Sequence, residues 1–180
     1  MQIFILDYDP KTVPKLMVNC HVVKLCLETA QILTGVWKNQ GNLKQDWMIG
    51  IDNPKHPVIA AITNEEQIRW VVVYYKYLLL EFELRYGHKH RYWQLAERYA
   101  KTFKVDISKE DGFDKGKLTF SRGFKDFNTE IKDLVLAYRR YYWHKKVIIK
   151  NWKYYVREEP EWLNRDRWKK NLLIEISSVV

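Results

Sequence analysis

The order of apolar and polar positions along the chain predicts a mainly helical protein. Apolar residues recur at helical spacing over long stretches, separated by clusters of turn-forming residues. Helices are predicted over residues 11–35, 64–86, 88–104, 130–143 and 163–175. Loops or turns are predicted over residues 7–10, 36–57, 106–122 and 160–162. The apolar run 2–6 fits a strand or an extended segment, so we expect a single compact all-α domain with at most this short N-terminal strand.

Residues with strong preferences for helix ends set the boundaries of the two longest predicted helices. Asp9 suits the cap of the first helix, a break is expected near Pro14, and Gly35 is a natural stop. Thr63 or Asn64 suits the cap of the second helix, and Gly87 ends it. The segment 15–34 is expected to be largely buried, with 64–86 packed against it.

The first predicted helix carries a narrow polar stripe on an otherwise apolar surface. At about 100° per residue, the stripe spans about 80°. Its members are His21, Lys24, Glu28 and Gln31. A helix of this kind is expected to turn its polar stripe toward a cleft, where His21 and Glu28 would reach one ligand from two successive turns. The alternative is that His21 is a satisfied core histidine and that Glu28 only pairs with Lys24 four residues earlier.

Composition places the chain among globular intracellular proteins. Its 180 residues are 47% hydrophobic, with Gly and Pro together at only twelve positions, which favours one folded domain with a full core. Cys20 and Cys26 are six residues apart in one predicted helix, too far for a disulfide, and no Cys/His cluster has zinc spacing. We expect no metal and no cofactor. The N-terminus lacks a basic signal-peptide region, and the apolar run 70–80 is too short for a membrane span, so a cytoplasmic location without membrane association is expected.

The charge distribution points to a polyanionic partner. The formal net charge is +9, and residues 138–170 hold eleven Lys or Arg against four acids, interleaved with nine Trp or Tyr. Cations neutralise phosphates and aromatic faces stack on bases, so this segment predicts salt-dependent binding of DNA, RNA or a nucleotide. The alternative is that the aromatic residues belong to the core and that the cations are only their solvated flank.

Several motifs, in a fixed order along the chain, carry a resemblance to a known family. They occupy residues 3–10, 21–24, 27–31, 85–90, 137–142, 150–152 and 160–162. Together they resemble a family of small, mainly phage-encoded proteins of unassigned activity, over about nine-tenths of the chain. The helix 21–28 is more distantly similar to the catalytic helix of the phage pyrimidine-dimer DNA glycosylases, which also carry a histidine seven residues before the catalytic glutamate. The family resemblance implies the cytoplasm of an infected host cell as the location.

The second resemblance implies a chemistry for Glu28 and His21. In those glycosylases the glutamate stabilises positive charge on the sugar, and an N-terminal α-amine attacks the sugar carbon. There the amine is exposed by removal of the initiator methionine before a small residue. Here Gln2 follows Met1, so that removal is not expected and an amine would have to be that of Met1 itself. The arginines that surround the catalytic helix of those enzymes have no counterpart in this chain.

The sequence therefore predicts a DNA glycosylase-like enzyme that cleaves a nucleobase–sugar bond in DNA or a nucleotide. The alternative is a phage protein that binds nucleic acid or a nucleotide without catalysis. Glu28 and His21 are the predicted catalytic residues. Glu28 is expected to stabilise charge or act as a general base while water or an amine attacks the anomeric carbon, and His21 is expected to position the sugar or its phosphate. His21, Lys24 and Glu28 are expected to line one cleft, with basic residues from 85–90 or 139–153 on its opposite wall. The predicted substrate-binding residues are Lys24, Arg85, Lys89, His90, Arg139, Tyr142, Lys150 and Trp152.

Overall fold

Two long helices, α2 (Asn19–Asn39) and α4 (Glu65–Tyr86), pack against each other at the centre of the fold. The computed structural model describes residues 1–51, 53–121 and 131–163. Its helices are α1 (Val13–Leu16), α2 (Asn19–Asn39), α3 (Pro57–Ala60), α4 (Glu65–Tyr86), α5 (Leu95–Thr102) and α6 (Leu134–Ile148), with 3-10 turns at Lys115–Lys117 and Glu161–Leu163. No β-strand occurs in these described ranges. The predicted all-α fold is confirmed.

The N-terminal run is extended but is not a strand. Residues 3–6 are almost fully buried in the core, and no described strand is available to pair with them. Side chains hold this segment instead: Arg139 Nε donates a hydrogen bond to the carbonyl of Leu6 at 2.8 Å, and Trp70 Nε1 donates to that of Tyr8 at 2.7 Å. The possible N-terminal strand is therefore corrected to a buried extended segment.

The first predicted helix is two helices. The chain is extended at Met17 and Val18, which separates α1 from α2, and Pro14 lies in the first turn of α1. Asp9 does not cap the helix; it closes the preceding turn by accepting from the amide of Lys11 and the hydroxyl of Thr12.

Gly35 does not end α2, which continues to Asn39. A Cβ atom at position 35 would lie 2.6 Å from Cδ1 of Ile59, so glycine allows the close approach of α3, and any side chain there would require Ile59 to shift. The predicted loop 36–57 accordingly begins inside α2. The sequence pattern shows a glycine but not the neighbour that requires it.

The other helices follow their local signals to different extents. Asn64 is the cap of α4 and forms a capping box with Gln67, and Gly87 ends the helix with φ of 74°. The predicted helix 88–104 shortens to α5, because residues 91–94 form a turn. The predicted helix 130–143 shifts to α6, which is capped by Asp133. The predicted helix 163–175 lies outside the described residues from 164 onward.

Core packing is rich in aromatic side chains. Trp70, Tyr74 and Tyr75 of α4 are fully buried, as are the three valines between them, so this stretch of the central helix is buried on every side. Tyr99 of α5 crosses to α2, where its hydroxyl donates to the carbonyl of Ala30 at 2.8 Å. Within the described part of the chain, no helix combines the length and the apolar character of a membrane span.

Candidate functional site

Glu28 of α2 lies against the N-terminus of the chain. Its Oε2 accepts a hydrogen bond from the amide of Gln2 at 3.1 Å, and its Oε1 lies 3.8 Å from the α-amino nitrogen of Met1. Lys24 Nζ lies 3.4 Å from the same Oε1. The side chain of Glu28 is 13% exposed, whereas that of Lys24 is 61% exposed. The pairing of Glu28 with Lys24 is therefore present, and the same carboxylate also contacts an amine that the polar stripe did not reveal.

His56 is a group that the sequence interpretation missed. It is half-buried at the start of α3, where its Nδ1 accepts from the amide of Val58 at 3.3 Å. Burial lowers the pKa of His56, the positive charge of the Met1 amine lowers it further, and Glu28 opposes both effects. His56 thus shares the electrostatic environment of Met1 and Glu28. Because Nδ1 accepts a hydrogen bond, the proton of the neutral ring is assigned to Nε2.

His21 lies in an aromatic cluster rather than beside the Glu28 carboxylate. Its Nδ1 is 2.8 Å from the hydroxyl of Tyr142, and that hydroxyl also accepts from the amide of Val18 at 2.9 Å. The ring of His21 contacts those of Phe4 at 4.9 Å and Trp152 at 5.6 Å between centroids. Burial lowers the pKa of His21 to about 4, with Lys24 and Lys145 adding to the shift. The imidazole is therefore neutral at pH 7 and joins α2 to α6.

Arg85 connects α4 to the turn between α1 and α2. Its guanidinium is buried and donates to the carbonyls of Met17 at 2.7 Å and Pro14 at 3.0 Å. It also pairs with Glu81 at 2.7 Å, and Glu81 receives a second guanidinium from Arg157 at 2.9 Å. Burial raises the pKa of Glu81, but the two guanidiniums outweigh burial and hold that pKa below its usual range. These contacts occupy Arg85 within the fold.

The remaining predicted substrate-binding residues are dispersed. Arg139 donates to the carbonyl of Leu6 and lies 3.4 Å from the carboxylate of Asp7. Lys89 is exposed beside Trp93, with its Nζ 4.6 Å from the ring centroid. His90 packs edge-on against Phe82 at 4.7 Å. Lys150 is exposed.

The structure thus brings Lys24 to Glu28, and it places His21, Tyr142 and Trp152 in one neighbouring cluster. Lys145 of α6 is one of the two cations whose charge lowers the pKa of His21.

The aromatic residues of the predicted basic segment divide into two groups. Tyr138 and Tyr142 are fully buried, so the core interpretation applies to them. Tyr155 is 67% exposed. The described part of the segment ends at residue 163, so its cations from 165 to 170 lie outside the described residues.

No protein-family model, curated protein or solved structure matches the chain. The resemblance to the phage family and to its distant glycosylase relatives stays a prediction. Among the described residues, no three His, Cys, Asp or Glu side chains cluster as metal ligands would. The chemistry of the site therefore has to be argued from Met1, Glu28, His56 and Lys24.

Proposed function

We propose that the protein is a DNA glycosylase-like enzyme that cleaves the N-glycosidic bond between a nucleobase and its sugar. The observation that carries the proposal is the contact between the Met1 amine and Glu28, at 3.8 Å. An amine beside a carboxylate is the pair that the resemblance to the dimer glycosylases implies. Gln2 reinforces the arrangement, because its amide fixes the second oxygen of Glu28 at 3.1 Å.

The pair supplies both groups that the reaction needs. In its unprotonated form the α-amine attacks the anomeric carbon, forming a C–N bond while the bond from that carbon to the base breaks. The base leaves with the bonding electrons and takes up a proton, and water later hydrolyses the sugar–amine adduct to return the free amine. Positive charge develops on the sugar in the transition state, and the Glu28 carboxylate stabilises it. Lys24 Nζ lies 3.4 Å from Glu28, and His56, which shares the electrostatic environment of the pair, offers a group for proton transfer.

A second candidate function is binding of nucleic acid or a nucleotide without catalysis. The ion pair between Lys24 and Glu28 favours binding without catalysis, because it gives the carboxylate a partner within the protein that does not depend on a reaction. The contact of His21 with Tyr142 also assigns this histidine a packing role that needs no substrate.

Base release from DNA distinguishes the two functions. Native, ultraviolet-damaged and hypermodified DNA are incubated with the protein, and free bases are identified by mass spectrometry. We expect one of these substrates to release a base, and Glu28→Gln to slow the release by about a hundred- to a thousandfold while DNA affinity stays nearly unchanged. Glu158→Gln, a matched change at an exposed carboxylate, should keep full activity. Absence of base release from every substrate with the unmodified protein would leave the binding function in its place.

A further inference from the structure

A groove lined by cations and aromatic rings lies between the loop that holds Trp47 and the start of α5. Its volume is about 510 Å³. Its aromatic walls are Trp47, Tyr92 and Trp93, and its cations are Lys89, Arg91 and Arg98. We call this surface the 89–98 groove. No acidic side chain from the described part of the chain lines it.

Each cation of the groove lies over one of its rings. The Nζ of Lys89 is 4.6 Å from the centroid of Trp93, and the Cζ of Arg91 is 4.7 Å from that of Tyr92. The Cζ of Arg98 lies farther, at 5.8 Å from the centroid of Trp47. All three cations are exposed, and none forms an ion pair with a carboxylate in the described part of the chain. The rings therefore orient the charges without neutralising them.

We infer that the 89–98 groove binds the sugar–phosphate backbone of duplex DNA. Three oriented cations in one groove, with no acid among the described residues that line it, suit the negative charges of successive phosphates. Because each ring already has a cation against it, the groove offers charge rather than free stacking surfaces, and this favours a backbone over unpaired bases.

A hydrogen bond connects the groove to the polar stripe of α2. Gln31 Nε2 donates to the carbonyl of Gly50 at 3.3 Å, and the preceding residue, Ile49, lines the groove. Gln31 lies on the same stripe as Glu28, so the groove wall is anchored beside the candidate active site. The inference rests on the proposed function in one respect, because it specifies that the enzyme acts on polymeric DNA rather than on a free nucleotide.

The test measures the binding of a fluorescein-labelled DNA duplex by fluorescence anisotropy between about 50 and 200 mM salt. The groove variant is Lys89→Gln/Arg91→Gln/Arg98→Gln. The matched control, Lys15→Gln/Lys38→Gln/Lys101→Gln, removes the same charge at exposed positions outside the groove. We expect the groove variant to bind about ten- to a hundredfold more weakly and to lower the slope of log affinity against log salt by about 2 to 3, since each lost phosphate contact lowers it by about 0.9. The control should lower the slope by less than about 1.

Three results would overturn the inference. In the first, the groove variant and its control lose equal affinity for the duplex. In the second, the unmodified protein does not bind the duplex. In the third, a mononucleotide displaces the duplex at equal phosphate concentration. Circular dichroism melting confirms that both triple variants are folded before they are compared.

DNA binding by the groove and the proposed glycosylase activity are tested by different experiments. A groove variant that loses DNA binding, in a protein that releases no base, would support the groove and refute the glycosylase. Release of base from free nucleotides as fast as from duplex DNA would support the glycosylase and refute the groove as its substrate-binding surface.

Discussion

The carboxylate of Glu28 lies 3.8 Å from the α-amino nitrogen of Met1, at the start of a buried segment without a strand partner. The amide of Gln2 completes the contact at 3.1 Å. Residues 3–6 then run through the core, which fixes the path of the chain that follows the amine. The position of the N-terminus is therefore set by packing and by Glu28 together.

An extension ahead of Met1 should abolish base release. Two or three added residues convert the α-amine into an amide, which is not a nucleophile, and displace the free amine from Glu28. We expect a loss as large as that of Glu28→Gln, measured as initial rates of base release. The same residues added after Val180 are the control and should leave the rate unchanged. Intact-mass measurement establishes that the unextended protein begins at Met1. Full activity of the extended protein would exclude the amine from the reaction.

Much of the fold could be predicted because its signals are local. Asn64 caps α4 three residues before Gln67, and both partners of this capping box lie within one turn. Gly35 shows the limit of such reasoning, since the atom that requires it belongs to Ile59 on another helix.

The candidate site also contains residues that local sequence signals could identify and residues that only the fold brings together. The polar stripe identified Glu28 and Lys24, which are neighbours on one helix. The Met1 amine reaches Glu28, and His56 enters the same electrostatic environment, only through the folding of a terminus and a loop. Helical spacing holds no information about either group. His21 shared the stripe, but its partner Tyr142 comes from α6 and draws it into the core. Arg85 was identified by its charge, whereas its role follows from carbonyls that only the folded chain presents.

Stability should fall between about pH 6.5 and pH 4 because of His21. Burial lowers the pKa of His21 from 6.5 to about 4, so the unfolded chain binds this proton more tightly than the folded chain does. The contribution of neutral His21 to the free energy of unfolding is fully present above pH 6.5. It is lost as the pH falls through about 4, and the total loss is about 3 kcal/mol. Urea unfolding at several pH values measures the effect. His21→Asn should show a weaker pH dependence than the unmodified protein, while the other histidines contribute equally to both. Identical pH dependence in the two proteins would be inconsistent with the buried neutral imidazole.

Arg85→Met should destabilise the fold far more than Arg157→Met. Arg85 is buried, and its loss leaves the carbonyls of Met17 and Pro14 without this donor and removes one partner of buried Glu81. We expect a loss of about 3 to 5 kcal/mol in the free energy of unfolding. Arg157 is 34% exposed, and its removal leaves Arg85 in place, so a loss of about 1 to 2 kcal/mol is expected. Urea denaturation compares the two, and equal losses would contradict the connecting role of Arg85.

Gly35→Ala should destabilise the protein, and Gly50→Ala provides the matched control. The new methyl group at position 35 would meet Ile59 at 2.6 Å, whereas nothing lies within 4 Å of a Cβ at position 50. We expect a loss of about 1 to 3 kcal/mol for the first variant. The second should change stability by no more than about 0.5 kcal/mol. Thermal and urea unfolding give both values, and a Gly35→Ala protein as stable as the control would show that α3 does not constrain this position.

Borohydride trapping tests the central claim most directly. The protein is incubated with a DNA duplex from which it releases base, in the presence of borohydride, and the covalent adduct is digested with trypsin and mapped by mass spectrometry. An amine that attacks the sugar forms an imine, which borohydride reduces to a stable bond. We predict an adduct on the peptide that begins at Met1, with little or none formed by Glu28→Gln. An adduct on a lysine instead, or base release without any adduct, would contradict the assignment of the Met1 amine and Glu28 as the catalytic pair.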